Sequence, residues 1–377
     1  MDLVKYLDEN RASILRTLDE LHDMPEASEK EFNTSACLAQ HLKECGYTVK
    51  TGVGGTTGVI GVLDSGKPGP VVGIRADMDA LLYEVDGKTV ASHTCGHDAN
   101  STEVLWAAKA ISACGKPQKG RFMAIFQPAE EVASGALALL KSGELEGLEY
   151  LFGTHLRAIE ELPMGKITPS LRHSASGFMF AEITGKGAHG ARPHLGVNAA
   201  EAAAAALFAI NSVHVTPLVP HSAKVTRIRC GSDSLNIIPD RAEIAVDMRA
   251  QTNPVMADLR AKVEAAITGG AASVGAKAVC HWKTGCPAAQ DSDEVVEIAR
   301  RAIVSVLGEE GLAPCMETPG GEDFHYYAQG IPNLKTTVIG VGADLTPGLH
   351  LRGMTFNHEA VICAAKVLAL MVHSLVA

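Results

Sequence analysis

Apolar residues recur at helical spacing over residues 2–22, with Leu3, Leu7, Ile14, Leu15, Leu18 and Leu21 on one face, and the pattern repeats over 31–46 up to Gly46. Two short β-like runs follow, TTGVIGVL at 56–63 and PVVGIRADMD at 70–79. The segment STEVLWAAKAISACG at 101–115 opens on Ser101, carries Glu103 and then turns apolar, which predicts a capped helix. RFMAIFQ at 121–127 predicts a strand, ASGALALLKSG at 133–143 a helix, and EYLFGTHL at 149–156 another strand. Strands alternating with helices predict an α/β fold whose sheet is mostly parallel.

The texture changes near residue 173. ASGFMFAEITG predicts a long strand, an Ala-rich helix spans 197–213, AKVTRIRC and IPDRAEIAVDMRA predict two strands, and PVMADLRAKVEAAIT predicts a second helix. Strand, helix, strand, strand, helix, strand is a self-contained α+β unit of domain size. From about 285 the α/β texture returns, with a helix over 292–307, a Gly-rich loop PGGEDF at 319–324, the strand KTTVIGVG and a closing helix. The expectation is a discontinuous α/β domain, 1–172 and 285–377, interrupted by an inserted α+β domain, 173–284.

Composition narrows the function. A chain of 377 residues that is 46% hydrophobic and 20% charged is not a disordered one. Aromatics at 5%, a net charge of −10 and the lack of any basic block argue against nucleic acid as a partner. The nine cysteines are odd in number and widely spaced, unlike a disulfide scaffold, which points to a reducing compartment. The N-terminal stretch MDLVKYLDENRASI does not resemble a secretory signal. The apolar runs at 199–210 and 360–372 are short for a bilayer span and each holds a charge, Glu201 or Lys366. A cytoplasmic protein with no membrane partner is expected.

Candidate chemistry begins at HTCGHD, 93–98. In an extended segment Cys95 and His97 project to one side, and a thiolate beside an imidazole suits Zn, Mn, Co or Ni. Asp98 could orient an imidazole from behind. The plainer reading is a buried cysteine beside a surface histidine. In FQPAEE, 126–131, Pro128 stops a strand and two glutamates follow: Glu131 as a metal ligand and Glu130 as a general base, or both as a solvated helix start. His155 ends an apolar strand in GTHL, where open α/β sheets place ligands, and Asp77 sits at another such end. His350 adds an imidazole near the C-terminus. Cys95, His97, Glu131, His155 and His350 exceed the needs of one tetrahedral ion and suit two divalent ions about 3.5–4 Å apart. This is an apparatus for metal-assisted hydrolysis.

Together with LHDMPEASEKEFNT at 21–34, RADMDAL at 75–81, GKGAHGARPHLGVNA at 185–199, NIIPDRAEIAVDMR at 236–249, GGEDF at 320–324 and GLH at 348–350, these motifs run nearly the whole chain. The sequence resembles the aminoacylase/carboxypeptidase branch of the M20 metallopeptidases, which includes auxin-conjugate, hippurate and N-acyl-amino-acid amidohydrolases. The resemblance implies a di-metal catalytic domain and an inserted dimerisation or lid domain, and hence a homodimer. It matches Cys95, His97, Glu131, His155 and His350 to the metal ligands and Glu130 to the catalytic base. His189 matches a lid histidine that reaches the partner subunit's site and holds the developing oxyanion. His194, in the same loop, is either a second lid contact or a surface turn residue. Asn236 and Arg249 match positions that grip the substrate carboxylate, a role a guanidinium performs well, although an interstrand ion pair would also account for Arg249. Relatives usually carry a histidine where Asn100 stands and a different segment after His350, where His358 lies.

The expected reaction is hydrolysis of the amide of a small N-acyl or N-aroyl amino acid. Deamination or carbamoyl release on the same site, or a catalytically silent binding protein on this scaffold, are the alternatives. The glycines of GVGGTTG at 52–58 lack both the Walker lysine and the Rossmann spacing, which sets nucleotide binding aside.

Overall fold

Hydrophobic spacing over 2–22 builds two helices rather than the single one expected, Leu3–Glu9 and Arg11–His22. Asn10 separates them: its backbone N–H and its side-chain Nδ2 both donate to the Tyr6 carbonyl, at 3.1 and 2.8 Å, and close the first helix. This computed structural model describes residues 2–377. It divides into two units, a larger one of the chain through Arg172 with Gln290–Met316 and Asp323–Ala377, and a smaller one of His173–Ala289 with Glu317–Glu322.

The larger unit is built on a seven-stranded sheet in the order 48–53, 58–64, 121–127, 71–77, 150–158, 335–345, 167–168. The four central strands, Arg121–Gln127, Val71–Asp77, Tyr150–Ala158 and Lys335–Leu345, run parallel. The flanking strands Thr48–Val53, Gly58–Asp64 and Ile167–Thr168 join antiparallel, so the sheet is mixed. Alternation along the central strands sends residues to opposite faces. Phe122, Ala124 and Phe126 pack on one face with the helices His97–Cys114 and Glu359–Val376, while Met123 and Ile125 pack on the other with Leu139, Phe324 and Tyr327. The closing helix is longer than the apolar run that marks it: its 18 residues are long and apolar enough to cross a bilayer by length and composition. In the fold it is a core helix, with Val361, Ala365, Leu368 and Val372 fully buried.

The helix expected from Ser101 begins four residues earlier, at His97. Gly96, at φ +83°, makes the turn into it, a conformation that glycine adopts without Cβ strain, and its carbonyl accepts the Asn100 N–H at 2.9 Å. HTCGHD is therefore a bend leading into a helix, not an extended segment.

The smaller unit holds a four-stranded antiparallel sheet in the order His221–Cys230, Arg241–Ala250, Ala175–Thr184, Lys277–Thr284. Helices Ala199–Asn211 and Asn253–Ser273 supply the rest of its core through Ala202, Ala206, Ile210, Leu259, Val263 and Ile267. The alanines of the first helix let the second approach closely.

Candidate metal centre

Three overlapping trios of donors lie in the larger unit, each with its ligand atoms within 4.8 Å of one another: Cys95, His97 and His155; Cys95, Glu131 and His350; His97, Glu130 and Glu131. The five residues expected as ligands and the expected base thus come together. They arrive by four local devices. Cys95 and His97 flank the Gly96 turn at the head of a helix. His155 lies on the central strand Tyr150–Ala158, which continues three residues beyond it. His350 has φ +63° and is held by its backbone, its N–H donating to the Thr94 carbonyl at 2.7 Å while the Tyr83 hydroxyl donates to its own carbonyl at 2.9 Å.

Glu130 and Glu131 sit on a tight loop after Gln127. Ala129 has φ +54°, costly for a residue with a Cβ, and is secured by its N–H donating to Glu31 Oε1 at 2.9 Å. The loop closes against Gly135, where an added Cβ would meet the Pro128 carbonyl oxygen at 1.7 Å. The Glu131 N–H donates to Asp79 Oδ2 at 3.1 Å, and the Asp323 N–H reaches Glu130 Oε1 at 3.4 Å.

The sulfur of Cys95 lies 3.2 Å from His350 Nε2 and 3.5 Å from His155 Nε2. His155 Nδ1 is 2.7 Å from the Leu156 carbonyl, which sets that nitrogen as the N–H and leaves Nε2 with its lone pair toward the sulfur. His97 Nδ1 is set by Asp79, at 3.1 Å from Oδ1, so its Nε2 faces the centre. Two buried atoms there make no hydrogen bond, His97 Nε2 and Glu131 Oε1, which lie 3.9 Å apart. Unsatisfied buried polar atoms cost about 1–3 kcal/mol each. A cation coordinated by both would offset that cost, so the donor set fits a metal.

Charges are managed from behind. Arg75 is buried and donates to Asp77 Oδ2 and Asp323 Oδ1, both at 2.8 Å, and to Gln127 Oε1 at 2.9 Å. Burial works against ionisation of Asp77, but His97 and Arg75 outweigh it and hold the carboxyl down at about 2. Burial also opposes a charge on His97, yet Asp77, Cys95 and Asp79 lift it well above the ordinary histidine value. Burial, reinforced by Arg157, pushes His155 down to about 3, a neutral imidazole ready to ligate. Burial pushes the Cys95 thiol up, so metal uptake there must displace its proton.

Asp98 does not orient a histidine of this cluster. It accepts from His22 Nδ1 at 2.7 Å, and Asp79 is the residue behind His97. RADMD points to Asp77 and does not single out Asp79, two residues further on in the same motif. Glu31 and Asp323 also serve the site and lie within motifs without any local sign of that role. Asn100 donates Nδ2 to Asp77 Oδ1 at 2.8 Å and supports Asp77. His358 belongs to none of the three trios; it lines a cavity of about 140 Å³ with His22 and Asp98.

In the smaller unit, His189 and Asn236 lie side by side. His189 pairs with Ile237 in a two-stranded ribbon, and the Gly190 N–H donates to the Asn236 carbonyl at 2.7 Å. Both side chains are exposed. His189 Nδ1 accepts from the Ala191 N–H at 3.1 Å, leaving Nε2 as the proton-bearing nitrogen. His194, in the 3₁₀ turn that follows, is exposed as well. Arg249 Nε donates to Asp247 Oδ1 at 3.1 Å, an ion pair along one strand rather than between strands. The same arginine lines a cavity of about 350 Å³ with Ser174, His221, Gln251 and Thr318.

A thiol, imidazoles and carboxylates gathered beside the central parallel strands are the build of an α/β metallohydrolase. The sequence pattern of peptidase family M20/M25/M40 matches residues 73–374, and this chain belongs to that family. It is similar to N-acetylcysteine deacetylase of Bacillus subtilis, 30% identical over 363 residues that cover 93% of each protein. It is 31% identical over 327 residues to an IAA-amino acid hydrolase of Arabidopsis thaliana, covering 83% of this chain and 73% of the plant protein. In structure it is similar to a dinuclear metal-binding peptidase of the M20 family from Bacillus subtilis, with a TM-score of 0.84 and 26% identity, covering 98% of this chain and 99% of the other.

Proposed function

We propose that this chain hydrolyses the amide bond of a small N-acyl or N-aroyl amino acid and that Cys95, His97, Glu131, His155 and His350 hold two divalent ions, Mn, Zn, Co or Ni. The observation that carries the reading is the convergence of these donors around two buried atoms, His97 Nε2 and Glu131 Oε1, that make no hydrogen bond. The names of the two relatives, a deacetylase of an N-acyl amino acid and a hydrolase of an amino-acid conjugate, favour that substrate class. When bound, the ions would supply Lewis-acid polarisation of the amide carbonyl and acidify a water molecule.

The protein's own groups account for the proton traffic. Glu130, on the loop beside Glu131 and held near the centre by the Asp323 N–H, takes the proton of the attacking water and returns it to the departing amine. His189, with its proton on Nε2, is a donor for the developing oxyanion. Arg249, in the lining of its cavity, pairs with the substrate carboxylate, and Asn236 adds a polar contact. In this reading the larger unit is catalytic and the smaller one is both lid and dimer interface. Its exposed Phe208, Ile228 and Ile237 favour burial against a second copy, which would lend its His189 across the interface. The nine free thiols suit a cytoplasmic enzyme.

The test is a panel of N-acyl and N-aroyl amino acids assayed with and without chelator, using wild type and Glu130→Gln. Metal-dependent release of the free amino acid by wild type, and its loss in Glu130→Gln at unchanged metal content, is the expected result. Full turnover in that variant sinks the assignment of the base. Mixing Glu130→Gln with His189→Ala should restore part of the activity if each site draws on both copies.

A further inference from the structure

We propose that Glu20, Cys37 and His41 form a separate binding site for one zinc-class divalent ion, clamping the helix Arg11–His22 to the helix Phe32–Glu44. The site lies in the larger unit and shares no residue with the centre described above.

Cys37 and His41 are four residues apart on one helix and so face the same way one turn apart. Glu20 projects from the last turn of the preceding helix. Ligand atoms of the three residues lie within 4.8 Å of one another, a spacing that one tetrahedral ion can span with small rotamer adjustments. The glutamate already addresses the imidazole, with Oε2 at 3.6 Å from His41 Nε2. A sulfur, an imidazole and a carboxylate together are the donor set of a borderline-soft ion rather than of calcium or magnesium.

The surroundings fit such an ion in charge and access. Lys109, from the helix His97–Cys114, donates from its ammonium to His41 Nδ1 at 3.1 Å, a contact that an ion on Nε2 must displace so that the ring proton moves to Nδ1 and turns to a carboxylate. Glu44 lies 3.9 Å from the same nitrogen. With a thiolate at Cys37, the negative charges of Cys37, Glu20 and Glu44 balance one divalent ion plus Lys109. Cys37 and His41 are half-buried while Glu20 is exposed, so an ion can enter from solvent and keep a water as its fourth ligand. Zinc at this position would join the two helices where Glu20 already approaches His41, and would stabilise that corner of the unit.

The experiment titrates Zn²⁺ into the metal-loaded full chain by equilibrium dialysis with metal analysis. It compares wild type with Cys37→Ser/His41→Ala and, as a change confined to an exposed side chain, Glu20→Gln. Displacement at the catalytic centre affects all three proteins equally, so the difference between them reports this site. The expected result is one more zinc per chain in wild type than in the double variant, a weakened extra site in Glu20→Gln, and a zinc-induced rise in Tm confined to wild type. Equal zinc stoichiometry in wild type and Glu20→Gln, with no difference in Tm response, overturns the proposal whatever the double variant does. The outcome is independent of whether the hydrolase reading holds.

Discussion

Asp79 and His97 are joined through a single carboxylate: Oδ1 lies 3.1 Å from His97 Nδ1, while Oδ2 accepts the Glu131 N–H at 3.1 Å and the Ser28 hydroxyl at 2.6 Å. One side chain therefore sets the tautomer of one proposed ligand and the backbone of another. Asp79→Ala should weaken metal binding about 10–100-fold, the usual cost of losing an outer partner of a ligating histidine. Metal retained after graded chelation measures it. Asp79→Asn, which keeps an acceptor oxygen, should fall between wild type and Ala.

Arg75 is the buried cation on which two carboxylates depend. Arg75→Met would leave Asp77 and Asp323 without their guanidinium in a region closed to water. Removing one partner of a buried ion pair costs about 3–5 kcal/mol. The expected result is a large fall in Tm or loss of soluble protein, measured by thermal denaturation. A variant as stable as wild type would show that the network is not needed for the fold.

Glu31 fixes the loop of the two glutamates through Ala129 and also accepts the Thr57 hydroxyl at 2.6 Å. Glu31→Ala would strand these donors and should destabilise the protein by about 1–3 kcal/mol. It should also lower kcat, because Ala129 then keeps only the Ser134 and Gly135 N–H bonds to its carbonyl to hold it at positive φ. Adding Ala129→Gly, which removes the Cβ strain, should recover part of the stability. Chemical denaturation of the single and double variants checks both points.

His22 offers a pH test. Its hydrogen bond to Asp98 raises its pKa, with partial burial working the other way. A raised histidine pKa contributes stability that is complete below the unfolded value of about 6.5 and is lost as pH rises through the folded one. His22→Ala should therefore cost more stability near about pH 5.5 than near about pH 9. His22 is half exposed, so the difference should be about 1 kcal/mol or less. Denaturation midpoints at the two pH values measure it, and a larger cost at high pH would contradict the pairing.

The legible part of the site followed from residue type and place. Cys95, His97, Glu131, His155 and His350 each stand at the end of a predicted element or in a short polar motif, and all five enter the overlapping trios. The supporting groups were less visible. Glu31 and Asp323 act across 98 and 187 or more positions of chain, on Ala129 and on Ala136 and Arg75. No local pattern distinguishes such a carboxylate from a solvated one. Asp98 shows the converse, since its place after His97 suggested a partner within the motif, whereas the helix packs it against His22.

Hydrophobic periodicity by itself determined that the chain is α/β with an α+β insertion, because burying one face per element imposes a period that can be read locally. Only the tertiary structure decided where one helix became two, that the large sheet is mixed, and which carboxylate stands behind which imidazole. Those outcomes depend on strand pairing and on which distant side chains share a buried volume. The period of a single segment carries no information about either.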